Sequence, residues 1–328
     1  MPGTDPAEAM RVIAGELPGF PHLPELPDRG PGADLTGRTA GLLTDIPAEV
    51  TPRGWRLAER PGRDLARARS MLSSDLDVME EVLQGYRGPV KIQLCGPWTL
   101  AATLELPRTM NVAIADPGAV ADLIASLAES AAAHAAEVAK RLPGARLVVQ
   151  FDEPALPAVT GGLVPTASGL SRLAAVEADT VQDGLSRVLA STRCYTVVHC
   201  CATAVPFGII RAAGADAVAF DLSQLRRGEE DGVAEAAEAG LGLLTGAIPA
   251  TGAGQGEPDG ARQTAERVLR LWRRLGLPPA TCPEQAVITP ACGLAGATLP
   301  QARAALARCR EAAAWLNELI EETGGEAG

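Results

Sequence analysis

From residue 88 onward the chain alternates short apolar, β-branched runs with longer segments whose apolar residues recur at helical spacing. Runs at 89–95, 146–151, 195–201, 217–220, 241–245 and 286–289 predict strands. Between them, 116–142, 177–191, 206–213, 229–239 and 260–275 predict helices, and 64–84 reads as helical before the first run. Asp116 supplies an N-cap with Pro117 at the first helical position, and Thr298 with Gln301 makes a capping box for a final helix to about residue 323. Repeated strand–helix alternation means a parallel sheet with helical crossovers. Adding one or two weakly marked early strands gives a single-domain (β/α)8 TIM barrel over 1–328, its first strand incomplete or irregular. Residues 1–60 are rich in Pro and Gly and read as an irregular segment at the barrel mouth. A doubly wound open sheet is the alternative, but no Gly-x-Gly-x-x-Gly follows an early strand.

A hydrophobic fraction of 47% over 328 residues supplies a large core. A net charge of −11 argues against nucleic acid or an anionic membrane surface as partner. The first residues carry neither a basic nor an apolar leader region, and no run of 18 uncharged apolar residues suggests a membrane span. Seven scattered cysteines do not form a disulfide framework, so the expected location is cytoplasmic.

The chemistry-bearing residues fall at predicted strand ends, where barrels keep their active residues. His199 and Cys201 lie two apart on one strand and therefore share a face, with Cys200 turned to the other. Imidazole plus thiolate suits Zn2+ better than a hard cation. Cys292, beside Gly293 after the last strand, is the third candidate ligand. Asp221 ends the strand between them. It is a displaceable fourth ligand acting in catalysis, an outer partner of the ligands, or a cap for the next turn.

Asp152 and Glu153 are adjacent carboxylates that a strand would face oppositely, one toward the mouth to hold a cationic amine, the other to cap or pair. Glu25, in a proline-punctuated stretch, is either part of a surface loop or of the site. Trp98 is a stacking wall for a planar ligand or a core residue. His134, among alanines, reads as structural or exposed. The loop Gly252–Gly256 reads as a mobile lid.

Gly96-Pro97-x-Thr99, Gln150-x-Asp152-Glu153-Pro154-Ala155-Leu156, His199-x-Cys201, Gly214-Ala215-Asp216 with Asp221, and Pro290-Ala291-Cys292-Gly293-Leu294 appear in that order over about residues 85–300. Together they resemble the catalytic half of cobalamin-independent methionine synthase, in its short single-barrel form. The resemblance implies zinc held by His199, Cys201 and Cys292, with Asp221 where the family has Glu. It implies homocysteine as the thiol, its amino group on Asp152 and, more weakly, on Glu25. It further implies methyltetrahydrofolate or a methylcorrinoid as the methyl donor. An alkyltransferase for another thiol and a non-catalytic zinc protein are the alternatives. Three departures stand out. The family's additional N-terminal barrel has no counterpart, its first-strand Gly-Ser segment would fall before Met1, and no histidine occurs near 247–251, where the long enzymes keep a proton donor.

Overall fold

The computed structural model describes residues 1–250 and 260–325, so the stretch read as a lid, Gly252–Gly256, lies outside the described residues. A hairpin of β1 (Ala48–Thr51) and β2 (Gly54–Leu57) stands apart from the main sheet. That sheet contains β3 (Pro89–Cys95), β4 (Arg146–Asp152), β5 (Tyr195–Cys200), β6 (Ala217–Asp221), β7 (Gly242–Ile248) and β8 (Ala286–Pro290). All six are parallel and hydrogen-bonded in sequential order. Their near-continuous apolar runs follow from burial on both faces, as crossover helices require.

Sequential parallel order and a shared internal cavity show that the sheet curls, with residues from β3 to β8 lining one space. The expected eight-stranded closed ring is not what the described residues show. A seventh position is taken at the β3 edge by residues 21–23, which pair at one bridge, His22 with Lys91. The Leu23 amide donates to the Lys91 carbonyl at 2.9 Å and the Lys91 amide to the Pro21 carbonyl at 3.0 Å. Pro21 and Pro24 bring no amide donor, so the pairing cannot extend into a full ladder.

Residues 1–60 are more ordered than their composition suggests. Helix Pro6–Glu16 starts at Asp5, whose side chain accepts from the Ala7 and Glu8 amides, and buries Ala9, Met10 and Ile13. Its last residue, Glu16, takes Arg303 Nε at 2.6 Å and Arg310 Nη1 at 3.2 Å from the final helix, Leu299–Gly325. The two helices thereby pack against each other. Helix Arg63–Val82 buries Leu65, Ala68, Leu72, Leu76 and Met79, a stripe at three- and four-residue spacing. Among the described residues, no helix is long and apolar enough to cross a membrane.

Candidate metal centre and its cavity

Strand register sets the site. Asp152 on β4 is the direct neighbour of His199 on β5, and their Oδ1 and Nδ1 atoms lie 2.7 Å apart. Cys201 follows β5, and its Sγ lies 3.4 Å from Sγ of Cys292, which follows β8. Gly246 on β7 lets the second segment come so close. A Cβ there would stand 2.7 Å from the Ala291 Cα and 2.8 Å from the Phe220 carbonyl oxygen. The Ala291 amide then donates to the Ile248 carbonyl at 2.8 Å, which anchors the residue just before Cys292.

The ligand atoms of His199, Cys201 and Cys292 all lie within 4.8 Å of one another. A tetrahedral ion with bonds of about 2.3 Å to sulfur holds two sulfurs about 3.8 Å apart, so the pair needs only a small opening to fit zinc. With Nδ1 bonded to Asp152, the His199 ring has Nε2 left for a metal. The donor set, one imidazole and two thiols, is soft enough for zinc and ill suited to magnesium or calcium.

Burial opposes a charge on His199, but the hydrogen bond and charge of Asp152 outweigh it and hold the imidazole above its ordinary range. The hydrogen bond from Cys201, aided by His199, lowers the Cys292 thiol to about 6 against the pull of burial. The same hydrogen bond and burial push Cys201 the other way, so the pair keeps one proton between its sulfurs.

A cavity of about 750 Å³ opens from these ligands. Glu25, Lys91, Gln93, Gln150 and Asp152 form its polar end, and Leu17, Phe20, Val287, Leu306 and Leu316 line an apolar wall. Glu25 is held there by its neighbours. Gln93 Nε2 donates to the Leu23 carbonyl at 3.0 Å, and Arg38 Nη1 to the Pro24 carbonyl at 2.8 Å. Burial raises the Glu25 carboxyl; Arg38 pulls it down and Asp152 pushes it up.

Two candidates lie elsewhere. Trp98 is buried at 1% exposure in helix Pro97–Thr103, its indole N–H on the Val181 carbonyl at 3.0 Å. It fills core space against Gly184, whose added Cβ would meet the ring at 2.7 Å, and it is not a wall of the cavity. Asp221 is not within the ligand group. Its Oδ1 accepts from the Ser223 amide at 2.8 Å and the Ser223 hydroxyl at 2.7 Å, so it closes the turn after β6 and faces a separate small hollow. Glu153 is fully buried and turned away from the mouth. Its carboxylate accepts from the Trp98 amide at 2.8 Å and from the Thr99 amide and hydroxyl, both at 2.7 Å.

Lys91 and Gln150 are site residues that the sequence reading passed over. Their signal was period-two alternation: Lys91, Gln93 and Cys95 share one face of β3, as Gln150 and Asp152 share one face of β4. A polar residue at every second place in an apolar strand marks a face turned to a cavity.

A family model described as "Cobalamin-independent synthase, Catalytic domain" matches residues 78–315. Among solved structures, a B12-independent methionine synthase from Shewanella sp. W3-18-1 in complex with selenomethionine is similar in fold, with a TM-score of 0.62. The identity is 13%, and the likeness covers 97% of this chain and 89% of that one. No curated protein matches.

Proposed function

The chain belongs to the cobalamin-independent methionine synthase family, and from that premise we propose that it is a zinc-dependent enzyme that methylates homocysteine to methionine. The observation that carries the proposal is the meeting of His199, Cys201 and Cys292 at one end of a cavity large enough for substrates. Bound by these three residues, zinc would supply the Lewis acidity that keeps a substrate thiol deprotonated at neutral pH. An alkyl thiol left to itself, with a pKa near 8.5, is mostly protonated there.

The surrounding residues supply the rest. Asp152 keeps the Nδ1 proton of His199, which holds the ring in one orientation. Glu25 and Asp152 lie at the same end of the cavity and offer carboxylate oxygens to the acceptor's ammonium group. Leu17, Phe20, Leu306 and Leu316 offer apolar lining to the non-polar parts of the substrates. In the overall reaction a sulfur–methyl bond forms, and the donor–methyl bond breaks with its electron pair staying on the donor. With methyltetrahydrofolate the thiol proton ends on the leaving nitrogen, and with a methylcorrinoid it is released to solvent. Methyltetrahydrofolate and a methylcorrinoid are the proposed donors.

The same reading takes residues 1–328 as one catalytic unit derived from the eight-fold barrel, because the ligands sit at the C-terminal ends of parallel strands. It places the enzyme in the cytoplasm, where the seven free thiols would stay reduced. The test is thiol methylation by zinc-loaded protein against the same protein stripped with a chelator, with each donor in turn. Methionine formation only with zinc is the expected result, and activity that survives complete zinc removal would refute the proposal.

A further inference from the structure

Behind His199 a chain of hydrogen bonds runs through the cavity wall. Lys91 Nζ donates to Gln150 Oε1 at 3.0 Å, and Gln150 Nε2 donates to Asp152 Oδ1 at 2.6 Å. The same Oδ1 lies 2.7 Å from His199 Nδ1. Lys91 sits on β3, Gln150 and Asp152 on β4 and His199 on β5, so the chain crosses three adjacent strands.

The chemistry of its first member gives the chain a direction. An ammonium only donates, so the Gln150 amide must turn its oxygen toward Lys91 and its NH2 toward Asp152. A flipped amide would set N–H against ammonium and oxygen against carboxylate. Asp152 Oδ1, held by that NH2, is then fixed in position to accept from Nδ1–H of His199. The lone pair is thereby placed on Nε2. Burial works against the charge of Lys91, and Asp152 and Glu25 sustain it.

We propose that Lys91 and Gln150 are positioning residues that lock His199 in its Nδ1–H tautomer, leaving Nε2 ready for the metal. Neither residue touches a ligand atom of the centre in this scheme; both act through Asp152. The proposal rests on reading His199 as a zinc ligand, so its test includes a measurement that needs no zinc.

Nitrogen-15 NMR of histidine-labelled, metal-free protein reports the tautomer directly. The chain has 3 histidines, and His199→Asn assigns the signal. At a pH above the raised titration range of His199, where the ring is neutral, the wild type is expected to show a single Nδ1–H form. Lys91→Met and Gln150→Leu, which keep the length or bulk of the side chain, are expected to show mixed tautomers. Each should also lose about tenfold in zinc affinity by chelator competition, the lower end of the usual outer-shell effect. Lys91→Arg, which keeps a donor, should restore both. Where the wild type binds zinc, the proposal stands only if tautomer and affinity move together and Lys91→Arg rescues them; a single tautomer in both variants overturns it. If the tautomers mix but the wild type binds no zinc, the lock stands and the reading of His199 as a ligand falls instead.

Discussion

Gly96 and Glu153 belong to two separate sequence motifs, yet the structure makes them halves of one contact. A Cβ at Gly96 would lie 2.5 Å from Cγ, Cδ and Oε1 of Glu153. The backbone there has φ −73, which any residue adopts, so only the missing side chain explains the glycine. Glu153 cannot simply step aside, since its carboxylate takes the Trp98 amide and both the amide and the hydroxyl of Thr99. Displacing it enough to admit a methyl group forfeits about two of these charge-assisted bonds, at roughly 1.5 kcal/mol each. Gly96→Ala should therefore cost about 3 kcal/mol. In a Glu153→Ala background the obstacle is gone, and the same change should be neutral or stabilising by about 0.5 kcal/mol. Urea unfolding of the four proteins of this double-mutant cycle, with chelator present so that metal binding does not contribute, measures the coupling. A coupling of roughly 3 kcal/mol is expected; additivity within about 0.5 kcal/mol would refute the reasoning.

Burial, with some help from Arg38, lowers the His134 imidazole to about 4. The unfolded chain therefore binds a proton near pH 6.5 that the folded one refuses, and about 3 kcal/mol of stability should drain away as the pH falls from 6.5 to 4. Denaturation curves of His134→Leu should lack that part of the slope. Asp221→Ala should leave zinc affinity within about twofold and lose about 1 kcal/mol of stability with the Ser223 bonds, as equilibrium dialysis and unfolding would show. Gly246→Ala pushes back the segment before Cys292 and should weaken zinc binding by about tenfold or more in chelator competition. Trp98→Phe, which removes a buried indole and its bond to Val181, should lower stability by about 1–3 kcal/mol while KM for the thiol stays unchanged.

The strands after residue 88 were legible because their apolar runs are broken within β3 and β4 only by the cavity-facing Lys91, Gln93 and Gln150, and the longest helix between them is capped by Asp116. The seventh sheet position was not, because a single bridge at His22 between prolines leaves no periodic trace. Helix Pro6–Glu16 carries a cap at Asp5 and a proline at its first position, but at 11 residues it was masked by the prolines and glycines that follow. Alternation was enough to separate Cys201 from Cys200, which is buried on the opposite face. It was also enough to send Asp152 and Glu153 in different directions. It could not distinguish a carboxylate facing the ligands from one bent back onto its own turn, so Asp221 kept three readings, of which the structure shows the cap. Trp98 posed the same difficulty: a tryptophan beside a glycine and a proline gives no sign of which side of the sheet its ring will occupy.

The clamp of Arg303 and Arg310 on Glu16 joins positions 287 and 294 residues apart. Closing so long a loop carries a large entropic cost, and such pairings form late. The final helix also provides Leu306 and Leu316 to the wall of the cavity. Until that pairing forms, the cavity beside His199 and the two cysteines lacks the wall that Leu306 and Leu316 provide, and it stands open to water on that side.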